Sequence, residues 1–208
     1  MKIKNIALVG NPNCGKTSLF NTLTGTRQKV ANYAGVTVER KEGSFNLPSG
    51  DAIRVLDLPG TYSLKPSSLD EEVTRAVCLG ELKGEILPDI FICVVDATNL
   101  SLHLSLVLEV RALNRPMILV LNMMDEVKKR GISIDKDKLS QLLGIPVVEA
   151  VAVKTKGIQD LINQLDQKNL FITPYHSELS HFEQVKQITK QVILNNDNGD
   201  KRALLQIG

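Results

Sequence analysis

The 208-residue chain is 43% hydrophobic and 23% charged, proportions of a soluble globular protein with room for one good-sized α/β domain and a small appendage. A formal net charge of +2 gives no electrostatic case for a nucleic-acid partner or an anionic membrane surface. Cys14, Cys78 and Cys93 lack metal-ligand spacing and read as reduced thiols. No signal peptide precedes the first strand, and the longest apolar stretch, around PMILVLNMM, is half the ~20 residues of a spanning helix.

In chain order, residues 6–10 (IALVG) read as a strand and 16–25 as a helix closed by Gly25. A loop of small and polar residues follows. Two strand-like runs then flank PSGD (48–51), a hairpin turn. Residues 68–84 open acidic and end on glycine, as helices prefer. IFICVVDA (90–97) is apolar on both faces and reads as a central parallel strand. A helix over 101–114, a buried strand over 116–122, a helix over 135–144, a strand over 145–152 and a helix over 157–167 complete the alternation. Such repetition implies an α/β fold: a mostly parallel six-stranded sheet with helices on both faces and one antiparallel strand. From about residue 170 one amphipathic helix and a polar end suggest a helical appendage. It either packs on the main domain or belongs to a truncated second unit.

Gly10-Asn11-Pro12-Asn13-Cys14-Gly15-Lys16-Thr17 matches G-x-x-x-x-G-K-[ST] between a predicted strand and a predicted helix. Glycines let the backbone wrap so that N–H groups point at phosphate oxygens, and the helix N-terminus, with Ser18 in its first turn, adds its dipole. Lys16 is expected to reach the β- and γ-phosphates and Thr17 to ligate Mg²⁺. Asp57, ending an apolar strand before Leu58-Pro59-Gly60, is the expected second Mg²⁺ group, with the Gly60 N–H turned to the γ-phosphate.

Within Gly35-Val36-Thr37, Thr37 is the residue expected to meet Mg²⁺ and the γ-phosphate from a mobile loop. Asn122-Met123-Met124-Asp125 ends a buried strand. Asp125 there can accept N1–H and N2–H₂ of guanine, a pattern able to reject a base lacking those donors by on the order of 10⁴-fold. Val151-Ala152-Val153 stands where a last loop meets the guanine O6. Asn13 projects from the phosphate loop, and its side-chain carbonyl can hold a monovalent cation, K⁺, against the phosphates. His103, His176 and His181 lie at no ligand spacing.

Taken together, G-N-P-N-C-G-K-T, G-V-T-V-E, D-L-P-G-T-Y-S-L and N-M-M-D resemble the N-terminal G domain of FeoB-type bacterial ferrous iron transporters, over residues 1 to about 167. The resemblance implies a Ras-like GTPase domain that binds GTP or GDP with Mg²⁺. It implies slow, potassium-stimulated hydrolysis, with Asn13, Lys16, Thr37 and Gly60 as its catalytic groups. It also implies a partner in a downstream membrane domain and a place on the cytoplasmic face of the cell membrane, with residues 170–208 as part of a helical unit. Homo-oligomerisation stays open. Ala31, Ala34 and Val151 depart from the family pattern without touching phosphate or metal ligands. Two rivals share the motifs: a free-standing GTPase of ribosome assembly, and a GTP-binding module with negligible hydrolysis.

Overall fold

The computed structural model describes residues 3–150, 155–167 and 174–195. Its first half runs β1 (Asn5–Val9), α1 (Lys16–Thr24), β2 (Gln28–Asn32), β3 (Glu39–Asn46), β4 (Ala52–Asp57) and α2 (Leu69–Leu79). β5 (Ile90–Asp96), α3 (Leu100–Ala112), β6 (Met117–Asn122), α4 (Met124–Lys129) and β7 (Ile132–Ile134) follow. The chain continues through α5 (Lys136–Leu143), β8 (Val147–Glu149), α6 (Thr155–Asp166), α7 (His181–Val192) and β9 (Ile193–Asn195).

β5 and β6 are buried on both faces, as their unbroken apolar runs require, and pair in parallel at the centre. The main sheet has the order β2-β3-β4-β1-β5-β6-β8. Only β3 runs against its neighbours, β2 on one side and β4 on the other. Alternate residues of the central strands feed two cores. Ala7, Val9, Phe91 and Val95 pack with Leu104 and Val107 of α3, while Leu8, Ile92 and Val94 pack with Leu19, Phe20 and Leu161 on the opposite face. Each of these buried Val, Leu, Ile and Phe side chains contributes about 1.5–3 kcal/mol.

The sheet has seven strands where the sequence pattern indicates six. The addition is β2, in the segment read as loop. All five of its residues are exposed, so no apolar alternation marks it. It exists because β3 offers a ladder, from Gln28 opposite Gly43 to Asn32 opposite Glu39. α2 also stops earlier than the expected 68–84. Gly80, at φ 75°, turns the chain, and its N–H caps the carbonyls of Ala76 and Val77.

The C-terminal helix packs on the main body. Ile188 and Val192 of α7 join the core that includes Leu104 and Leu139, and β9 pairs antiparallel with β7. Arg111 of α3 bridges this junction: its Nε donates to the Leu143 carbonyl at 2.9 Å, and its guanidinium lies 5.1 Å from the Tyr175 ring centre. Among the described residues, no helix is long and apolar enough to cross a membrane.

Candidate functional site

Parallel pairing brings the C-terminal ends of β1, β4, β5 and β6 to one edge of the sheet, where α/β folds place ligand crevices. The segment from Gly10 to Gly15 leaves β1 there and curls into α1. Asn13 (φ 63°) and Gly15 (φ 90°) take left-handed conformations that the curl requires. A side chain at Gly15 has no room, since a Cβ would fall 2.0 Å from Asn122 Nδ2. That amide, buried at the end of β6, donates to the Cys14 carbonyl at 2.9 Å and so braces the loop from below. Asn13 itself is exposed, and its side chain makes no hydrogen bond among the described residues. Its amide carbonyl is free to meet a cation.

Lys16, Thr17 and Asp57 converge. Thr17 Oγ1 donates to Asp57 Oδ2 at 3.1 Å, and Lys16 Nζ lies 3.9 Å from Asp57 Oδ1. Asp57 is 6% exposed, and its Oδ1 is buried with no hydrogen-bond partner. Burial pushes its carboxyl above the usual range, with the Lys16 charge and the Thr17 hydroxyl pulling the other way. A buried carboxylate oxygen left open beside a hydroxyl is the donor set of a hard divalent cation, so these residues fit Mg²⁺.

Leu58, Pro59 and Gly60 carry the chain from Asp57 past the phosphate loop. The approach is close: a Cβ on Gly60 would sit 3.0 Å from Pro12 N, and Thr61 N donates to the Gly10 carbonyl at 3.2 Å. Thr61 is fully buried and its hydroxyl is already engaged. It donates to the Ser63 carbonyl at 2.6 Å, with Glu71 Oε1 at 3.3 Å. Glu109 of α3 accepts from the Ser63 hydroxyl at 2.9 Å and from the Leu64 N–H, which ties this loop to the helix layer.

Between β2 and β3 the chain makes a tight turn. Tyr33 N donates to the Val38 carbonyl at 3.0 Å, Val36 N donates to the Tyr33 carbonyl at 3.2 Å, and Gly35 supplies φ 80°. Tyr33 and Val38 are buried anchors, while Thr37 between them is exposed. Lys16, Thr17, Asp57 and Gly60 line one cleft, and Val38 rather than Thr37 borders it. Glu39, Lys41 and Asp70 also border it. Glu39 ends the G-V-T-V-E motif, whereas Lys41 and Asp70 carry no motif, and only the strand register sets Lys41 opposite Asp57.

Asp125 lies half-buried in the first turn of α4, after Met123 at φ 60° turns the chain out of β6. Ala150 N donates to the Leu121 carbonyl at 2.8 Å, which places the end of β8 beside β6. Val151, Ala152 and Val153 lie outside the described residues. The three thiols are free and buried, and burial pushes Cys14 up and Cys78 to about 12, leaving them protonated and unsuited to nucleophilic chemistry.

Residues 4–165 match the family model described as ferrous iron transport protein B. The chain belongs to that family. The Fe(2+) transporter FeoB of Salmonella typhimurium is 46% identical over 188 residues, 88% of this chain but 23% of the relative. The chain therefore spans about a quarter of the curated FeoB proteins it matches. Among solved structures, the cytosolic domain of L. pneumophila FeoB is 32% identical with a TM-score of 0.83, covering 92% of this chain and 100% of that one. The cytosolic domain of T. maritima FeoB in a GMPPNP form is 34% identical with a TM-score of 0.78, covering 93% and 100%.

Proposed function

We propose that this chain binds GTP with Mg²⁺ and hydrolyses it slowly with help from K⁺, as the cytosolic regulatory G domain of a ferrous iron uptake transporter. The observation that carries this reading is the open, buried Asp57 Oδ1 beside Thr17 and Lys16, under a loop braced by Asn122. Family membership and the nucleotide analogue named with the T. maritima relative support it. Residues 1–167 form the G domain in this reading, and 170–208 begin a helical unit ahead of a membrane domain.

Each residue has a task. The backbone N–H groups of residues 10–18 wrap the phosphates, Lys16 draws charge from the β- and γ-oxygens, and Thr17 and Asp57 hold the divalent ion. When bound, Mg²⁺ neutralises charge on the phosphate oxygens. Thr37 swings in from its turn to sense the γ-phosphate, and the Gly60 N–H meets the same group. Asp125 pairs with the guanine donors while Asn122 keeps the loop in place. Val151, Ala152 and Val153 are the reading's remaining base contacts. Asn13 offers its free carbonyl to K⁺, which when bound would supply positive charge to the reacting phosphates, a role in which an arginine finger is worth roughly 10³–10⁵ in rate.

The test is turnover in potassium against sodium at matched ionic strength, with nucleotide titrations alongside. Wild type should be faster in potassium, and Asn13→Ala should lose the stimulation yet still bind GTP. Asp125→Asn should trade affinity for GTP against xanthosine triphosphate. Turnover indifferent to potassium refutes the cation role, and unchanged base preference in Asp125→Asn removes that aspartate from guanine selection.

A further inference from the structure

The alternation of β3 sends Gly43 and Phe45 to the α1 side of the sheet. A Cβ at Gly43 would press on Thr24, and Phe45 lies in the core with Leu19 and Phe20. Lys41, two residues earlier, shares that face and stands opposite Asp57 in the β3–β4 register. Directly opposed residues of an antiparallel pair have Cβ atoms about 4.5–5.5 Å apart. Lys41 thus brings a second ammonium into the cleft that Lys16, Thr17, Asp57 and Gly60 define. Its Nζ rests 2.9 Å from Glu39 Oε1, at the cleft border, with the two side chains 37% and 55% exposed. An ion pair so open to solvent is weak and readily exchanged for a better anion.

The phosphate loop, Lys16 and the N-terminus of α1 serve a ligand from one side. Lys41 and Gly60 belong to the wall built by β3 and the end of β4. Among the described residues bordering the cleft there is no arginine, and the buried Thr61 hydroxyl is engaged with Ser63.

We propose that Lys41 is a second phosphate-binding cation, selective for the terminal phosphate of a nucleoside triphosphate, and that Glu39 holds it at the cleft border until that phosphate arrives. The inference rests on the nucleotide reading given above. On binding, the ammonium exchanges the Glu39 carboxylate for a terminal phosphate oxygen, with no covalent bond made or broken. A diphosphate offers no such oxygen, so Lys41 stays with Glu39. The exchange also frees Glu39, which directly follows Val38 at the end of the Tyr33–Val38 turn.

The experiment titrates GDP and a non-hydrolysable GTP analogue, in constant Mg²⁺, against the 208-residue chain and three variants. Lys41→Met keeps the stem and removes the charge. It should weaken analogue binding on the order of tenfold, the loss of one charge-assisted hydrogen bond, while GDP affinity stays within about twofold. Lys41→Arg should keep the triphosphate preference, and Glu39→Gln should hold or raise it. Equal weakening of GDP and analogue in Lys41→Met overturns the proposal, as does a Glu39→Gln variant that reproduces the Lys41→Met loss. A wild-type chain that binds neither nucleotide overturns the nucleotide reading itself, and this inference with it.

Discussion

Replacing Asn122 with alanine tests whether the phosphate loop is braced from beneath. In the folded chain the Asn122 amide donates to the Cys14 carbonyl at 2.9 Å in a site only 4% exposed, linking residues 108 apart in sequence. The alanine variant removes this donor from the carbonyl of Cys14, a fully buried residue. An abandoned buried hydrogen-bonding group costs about 1–3 kcal/mol. A central value of about 2 kcal/mol corresponds to a melting temperature lower by about 4–8 °C for a domain of this size.

The same free energy returns in ligand binding. A loop that must be re-ordered by its ligand charges the cost to affinity, and about 2 kcal/mol is roughly a 30-fold weaker Kd. The assay is thermal unfolding of nucleotide-free protein, followed by titration with a GTP analogue. Asn99→Ala is the control, since Asn99 is exposed and its side chain makes no capping bond at the start of α3. A nucleotide-free Asn122→Ala melting within about 1 °C of wild type would refute the brace.

Thr61→Ala removes a buried hydroxyl that donates to the Ser63 carbonyl at 2.6 Å, so it should lower stability by about 1 kcal/mol while turnover per folded molecule stays within about twofold. A hundredfold fall in turnover at unchanged nucleotide affinity would instead put that hydroxyl in the chemistry. Burial holds the His103 imidazole below its ordinary value, against the opposing pull of Asp96, and its Nδ1 has no hydrogen-bond partner. The unfolded chain therefore takes up a proton before the folded one does, and stability falls as pH drops below about 6.5. His103→Leu should flatten that fall between about pH 7.5 and 5.5 in urea titrations, and an unaltered pH slope would remove His103 as its source.

What the sequence discloses here is chemistry that is local. The apolar runs of β5 and β6 announce their burial, and the phosphate loop carries its glycines, lysine and threonine within eight consecutive residues. What it conceals depends on pairing across the sheet. β2 has no apolar alternation, because it is an edge strand held by main-chain bonds to β3. Lys41 looks like one more charge in ERKEG until the register sets it opposite Asp57. Glu109 carries no sequence motif, yet it gathers the Ser63 hydroxyl and the Leu64 N–H from a loop distant in sequence. Met123 acts through its backbone: at φ 60° it turns the chain from β6 into α4.

The turn holding Thr37 shows why a mobile segment is hard to recognise from composition alone. Glycine in the segment suggests freedom, yet Gly35 at φ 80° serves a closed turn whose ends are pinned by the buried Tyr33 and Val38. Two backbone bonds close it, Tyr33 N to the Val38 carbonyl and Val36 N to the Tyr33 carbonyl. At about 0.5–1.5 kcal/mol net for each, opening the turn costs about 1–3 kcal/mol. A charge-assisted contact at a phosphate recovers a similar amount. The Tyr33 hydroxyl is buried without a hydrogen-bond partner, so its side chain is held by packing alone. With Tyr33 and Val38 left packed, breaking those two bonds alone is a change small enough for one phosphate contact to offset. A differential contact of that size is what a ligand-driven switch requires.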